Sequence, residues 1–195
     1  MEKKLKSSIS LNTRQIAVIG MLSAISIFLG VSGLGFIPIP PVKATIMHVP
    51  VIIGAILEGP LVGAMIGLIF GLFSVINAIA NPMPLSFVFM NPLVSVVPRV
   101  IIGLTAYYCY SALSSKFGTL KMAIGAAIGS LTNTFGVLGL IYLIYIEKYA
   151  AVYNISVSAA RKGIIAVAFT NGIPEAILSV LITIPVVMAV RKTRK

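Results

Sequence analysis

Four polar side chains stand out because each interrupts an apolar run. In "AFTNGIPEAI", Asn171 and Glu175 are four residues apart, so on a helix they share one face. Asn133 lies within "GSLTNTFG" and Arg99 within "VPRVIIG". A charge near a bilayer's centre costs at least about 2.5–3.5 kcal/mol on insertion scales, so such residues turn toward a cavity or toward one another. Together they supply amide donors and acceptors, a carboxylate, and a guanidinium able to hold a second carboxylate in a fork. That is the chemistry of holding a small polar ligand. The competing arrangement is an internal network in which Glu175 neutralises Arg99. Pro174, between Asn171 and Glu175, lacks an N–H and so frees a carbonyl on the same stretch.

Other residues complete the candidate set. Tyr142, with Tyr145, offers an aromatic wall on the same side as Asn133. Phe87 and Asn91 belong to "NAIANPMPLSFVFMNP", a stretch that would lie above the site. His48, the single histidine, is a further ligand candidate, weighed against a plain local cap or surface residue.

Catalytic constellations are missing from the chain. It has no G-x-x-x-x-G-K-[ST] and no G-x-S-x-G. One histidine and one cysteine, Cys109, cannot build the usual zinc site or an internal disulfide. A membrane protease would want a serine paired with His48 at a defined depth, and no such pairing is legible. The expectation is no catalytic residue, no metal and no cofactor.

These side chains must be carried by membrane helices. Of 195 residues, 58% are hydrophobic and 10% charged, and the mean hydropathy is +1.08. Those are the figures of a polytopic membrane protein, not a soluble domain. The formal charge of +11 is spread between and beyond the apolar runs, with no basic face on any helix, which argues against nucleic acid. Lys3, Lys4 and Lys6 precede an apolar stretch as in a signal peptide, but the uncharged run from Gln15 to Val42 is too long for one. A retained first helix is expected.

Six segments qualify as spans in whole or part: about 14–34, 47–57, 61–79, 93–114, 120–146 and 163–190. The second is short, because Gly59-Pro60 ends it and starts the third as a tight helical hairpin. The stretch 78–93 reads as a structured third loop packed against protein. With the N-terminus in the cytoplasm, the inside set is Lys3, Lys4, Lys6, Arg14, Lys116, Lys121, Arg191, Lys192, Arg194 and Lys195. Outside lie Lys43, Lys148, Arg161 and Lys162, which favours both termini in the cytoplasm. Glu58 then sits at a wet cytoplasmic turn and His48 near the outer face. The expected fold is an all-α membrane protein of six transmembrane helices, a single substrate-binding domain over 1–195.

Two stripes of small residues are visible. Ala17, Gly20 and Ala24 form one on the first helix; Gly59, Gly63, Gly67 and Gly71 recur at every fourth position toward the third. Small-xxx-small spacing lets helices approach closely in lipid. Each stripe suits internal packing or a partner surface.

The chain resembles the substrate-binding S components of energy-coupling factor (ECF) vitamin transporters. The likeness rests on "TRQIAVIGMLSAIS", "MHVPVIIGAILEGPLVGAMIGLIFGLFS", the polar third loop, "PRVIIG" and "TNGIPEAILSVL", in order over nearly the whole length. It implies capture of a vitamin from outside, a scaffold transmembrane subunit and two cytoplasmic ATPases as partners, and a prokaryotic cell membrane. The family's A-x-x-x-A scaffold contact falls on Gly20 and Ala24, with Gly in place of the first Ala. The loops at 33–47 and 78–93 would close over the ligand, and small residues on helices one to three would form a sliding surface against the scaffold. "TIMHVPVIIGAILEGP", "SFVF" and "PRVIIG" look most like pantothenate-assigned members. The alternatives are another vitamin or precursor (riboflavin, folate, thiamin or alpha-ribazole), a membrane-embedded enzyme, or an assembly subunit.

Overall fold

The computed structural model describes residues 11–39, 42–114 and 117–193. Lys3, Lys4, Lys6, Lys116, Arg194 and Lys195 of the charge argument lie outside them, as does the side chain of Lys43. Helix α1 (Thr13–Ser32) starts at a capping box: the Asn12 side chain accepts from the Arg14 and Gln15 N–H groups, and Gln15 accepts from the Asn12 N–H. It ends at Gly33, whose φ of +74° suits glycine. Strands β1 (Phe36–Ile39) and β2 (Val42–Thr45) then pair as an antiparallel hairpin with Phe36 opposite Thr45.

Helix α2 (Val49–Glu58) meets α3 (Pro60–Ala80) across Gly59 alone. Gly59 has φ +105° and Pro60 opens the next helix, the expected hairpin chemistry. Two single-turn helices, α4 (Ser86–Phe89) and α5 (Pro92–Ser95), fill the third loop and lead into α6 (Val97–Ala112). Helix α7 (Gly118–Ile144), a short α8 (Ile146–Val152) and the long α9 (Val157–Thr193) complete the chain. Pro174 and Pro185 lie inside α9 without ending it.

Five stretches are long and apolar enough to cross a membrane: α1, α3, α5 with α6, α7 and α9. Helix α2 is apolar too, but its ten residues reach only about 15 Å. It is the buried centre, covered from Val49 to Ile56, and packs with Ile19, Leu22, Val62, Ile66, Ile102 and Val187 in the main apolar cluster.

Side-chain contacts fix which ends lie together. Arg14 at the start of α1 pairs with Glu58 at the end of α2. Arg191, near the end of α9, donates to the Tyr110 hydroxyl at 2.6 Å and to the Ile56 carbonyl at 3.5 Å, joining the ends of α6 and α2; Lys121 of α7 lies over the Tyr110 ring. Both described chain ends therefore share one end of the bundle. The hairpin, α4, α5 and α8 occupy the other.

Several expectations need correcting. Glu58 is not in water: only 8% of its side chain is exposed, and its Oε1 accepts from Arg14 Nε at 3.1 Å and Nη2 at 2.8 Å. The Arg14 side chain, reaching across from the start of α1, covers the carboxylate. The glycine ladder is internal from Gly63 onward and offers no sliding surface there. A Cβ at Gly63 would come within 3.0 Å of the Gly103 Cα, one at Gly67 would strike the Arg99 carbonyl, and one at Gly71 would lie 2.7 Å from the Val96 Cα. These glycines let α3 and α6 touch backbone to backbone. The stripe on α1 is the opposite case: Ala17, Gly20 and Ala24 are exposed, and nothing lies within 4 Å of a Cβ built on Gly20. Internal packing among the described residues does not account for it.

Candidate functional site

A cavity of about 470 Å³ opens beneath the hairpin and the α4–α5 segment, at the end of the bundle away from the described termini. Arg99, Asn133, Asn171 and Glu175 all line it. Three separate helices deliver them: α6 carries Arg99, α7 carries Asn133, and α9 carries Asn171 and Glu175 one turn apart.

Arg99 is 7% exposed. Its Nη1 donates to the Val94 carbonyl at 2.7 Å, and its guanidinium carbon lies 5.6 Å from the Phe70 ring centre and 5.8 Å from that of Phe89. Its Nε has no hydrogen-bond partner among the described residues. Nor does Glu175 neutralise it; the ion pair resolved among the described residues is Arg14 with Glu58. The Arg99–Glu175 pair weighed from the sequence is therefore not what forms among the described residues. Two aromatic faces attract the cation without taking its N–H donors. A buried guanidinium with spare donors at a cavity wall is a ready seat for an anion.

Glu175 is 4% exposed and occupied from three sides. Its Oε1 accepts from the Thr45 N–H and the Thr45 hydroxyl, both at 2.9 Å, and its Oε2 accepts from the Thr134 hydroxyl at 2.7 Å. The carboxylate thus fastens the last residue of the hairpin to α9. Asn133 presents an Oδ1 without a partner among the described residues. On α3, Ser74, Asn77 and Asn81 follow one face into the cavity, and the Asn81 amide donates to the Asn77 Oδ1 at 2.9 Å. Phe36, Phe70, Phe73 and Phe89 supply its apolar wall.

The remaining candidates stand elsewhere. His48 is fully buried and does not line the cavity. Its Nε2 lies 3.0 Å from both the Ser130 and Ser179 hydroxyls. Those serines are one helical turn below Thr134 and Glu175, so His48 sits one layer deeper than the cavity floor. The hairpin folds back over the bundle and lets the chain re-enter there, so His48 is neither a side-chain cap nor a surface residue. Asn91 caps α5 through the Leu93 N–H and donates to the Tyr145 hydroxyl at 2.9 Å. Phe87 packs edge-on against Tyr145 at 5.7 Å. Tyr142 is half-buried against the Val137–Ile141–Ile164 cluster beneath Arg161, whose guanidinium carbon is 5.9 Å from its ring centre. These three brace the cavity's surroundings but do not line it. No group of three or more metal-ligating side chains occurs among the described residues.

Missed from the sequence were Thr45, Thr134, the Ser74–Asn77–Asn81 face and the phenylalanines. The α3 residues did carry a signal, being polar at spacings of three and four near the end of an apolar helix.

A sequence profile of the family described as "ECF transporter, substrate-specific component" matches residues 14–187. The "Pantothenic acid transporter PanT" of Lactococcus lactis subsp. cremoris is 32% identical over 168 residues, spanning 79% of this chain and 81% of that protein. The "Pantothenate transporter PanT" of Leuconostoc mesenteroides subsp. mesenteroides is 34% identical over 113 residues, 53% of this chain and 55% of its own.

Proposed function

The chain belongs to the family of ECF transporter substrate-specific components, and from that premise we propose that its cavity captures pantothenate for uptake by an ECF-type importer. It is a multi-pass protein of the cell membrane. The observation that carries the ligand assignment is Arg99, a buried guanidinium at the cavity wall with no carboxylate paired to it among the described residues. Pantothenate presents one carboxylate, one amide and two hydroxyls. The carboxylate suits the open side of Arg99, while the amide and hydroxyls suit Asn133 and Asn171. Glu175 would repel the carboxylate from the opposite wall and so orient the ligand.

The mechanism follows from what surrounds the cavity. The termini are cytoplasmic, with Arg14, Lys121, Arg191 and Lys192 at that end of the bundle, and the cavity opens outward. The six apolar segments make one substrate-binding domain, five of them crossing the membrane and the short α2 held inside the others. Ligand enters beneath the hairpin, and the Thr45–Glu175 bonds fasten the hairpin behind it. The bare stripe of Ala17, Gly20 and Ala24 is the face offered to a scaffold transmembrane subunit. Two cytoplasmic ATPase subunits supply the energy that empties the cavity inward.

Purified protein titrated with labelled pantothenate should bind with a Kd below about 1 µM. Arg99→Gln should weaken that binding by about 2–5 kcal/mol and leave the affinity for pantothenol, which lacks the carboxylate, nearly unchanged. Equal loss for both ligands would remove the carboxylate from Arg99.

A second reading, a flat aromatic vitamin, is favoured by one observation: four phenylalanines line the cavity. Two of them are engaged with Arg99, which leaves less stacking surface than their number suggests. Competition by riboflavin, folate and thiamin against bound pantothenate separates the readings. A membrane-embedded hydrolase has less support. His48 touches two serines, but its Nδ1 has no orienting partner among the described residues, and the cluster lies outside the cavity.

A further inference from the structure

A second hollow, of about 280 Å³, lies on the outward face of the α7–α9 seam. Its lining is Phe135, Gly139 and Tyr142 from α7, Ile164, Ala168 and Phe169 from α9, and neighbouring apolar side chains. Leu138 belongs to both this groove and the ligand cavity. Phe135 and Phe169 meet edge to face at 6.1 Å at its lower end. Along α7 it runs from Phe135 to Tyr142, about 10 Å.

Three features say what fills it. The floor is open at Gly139, where an added Cβ would meet nothing within 4 Å. Its rims are exposed apolar side chains, Phe135 at 46% and Phe169 at 56%, on helices long enough to cross a membrane. Its mouth is cationic. Arg161 lies over the Tyr142 ring at one upper edge, Lys162 follows it, and both are exposed. Neither is ion-paired with a carboxylate among the described residues, although Glu147 and Lys148 lie on the adjoining α8. An apolar slot with a pair of unanswered cations one helical turn above it has the two-part chemistry of a phospholipid.

We propose that this groove is a binding site for an anionic phospholipid, with one acyl chain lying between α7 and α9 and the phosphate against Arg161 and Lys162. Hydrocarbon fills a void that water would not wet, and the cations select the headgroup charge.

The test is retention of phosphatidylglycerol against phosphatidylcholine of identical chains, read by native mass spectrometry of the detergent-purified full chain. The wild type should retain phosphatidylglycerol about thirtyfold better, as expected for two surface cations. The double substitution Arg161→Gln, Lys162→Gln should abolish that preference. Gly139→Leu, which fills the slot from outside the packed core, should lower retention of both lipids. Equal retention of the two lipids by the wild type would overturn the proposal. So would phosphatidylglycerol retention unaffected by Gly139→Leu in protein of unchanged helicity. Should Gly139→Leu fail to fold, the exposed Arg161 and Lys162 pair still decides the matter. None of these readouts depends on pantothenate, so their failure is separate from failure of the transport reading.

Discussion

The small-residue stripe of α1 and the glycine ladder of α3 are nearly the same word in sequence, yet they are used in opposite ways. Gly63, Gly67 and Gly71 bring the α3 backbone against α6 so closely that a methyl group has nowhere to go. Ala17, Gly20 and Ala24 lie exposed, flanked by Ile16, Met21, Ile25 and Phe28, also exposed. The buried face of α1 is Ile19, Leu22, Ser23 and Ser26 instead. Spacing says that a helix can be approached; only the rest of the bundle says whether its own neighbours have already done so. On α1 no neighbour among the described residues has taken up the offer.

Substitutions can sharpen or break that contrast. Gly67→Leu should have the largest effect, because its Cβ would strike the Arg99 carbonyl. A destabilisation above about 3 kcal/mol is expected, with loss of ligand binding as Arg99 is displaced, measured by thermal unfolding and titration. Gly71→Ala should be milder, about 1–3 kcal/mol, since the added methyl meets Val96 Cα at 2.7 Å and the Ser95 carbonyl at 2.8 Å. Gly20→Leu should move stability by no more than about 0.5 kcal/mol and leave pantothenate titration unchanged, while uptake by cells falls. Preserved uptake with Gly20→Leu would remove the α1 stripe from the docking face. A large loss of stability there would show that the two stripes do the same job after all.

Much of the bundle was legible because its signals are local. Gly59-Pro60 marks the α2–α3 turn through the backbone demands of those two residues, and the apolar runs give each long helix within a few residues, except at the ends of α9. Arg99, Asn133, Asn171 and Glu175 were legible because polarity in a greasy run is conspicuous, and all four line one cavity. The rest of the lining was not. Phe70 and Phe89 look like any lipid-facing residue until the guanidinium is seen between them. Thr134 is one hydroxyl among several on α7. His48 was misjudged because its depth depends on the β1–β2 hairpin, whose strands of four residues and three nearby prolines carry no strong periodic signal. Tyr142 was misjudged by height: it stands one turn above Leu138, which lines the cavity, and it borders the α7–α9 groove beneath Arg161 instead.

Thr45 and His48 are three residues apart, and the groups they hold, Glu175 and Ser179, are one turn apart on α9. Hairpin and central helix are thus buttoned to the same short length of one rod. A rotation of α9 that parted Glu175 from Thr45 would shift Ser179 against His48 as well, so the anchorage of the hairpin and the seat of α2 are tied through one turn of helix.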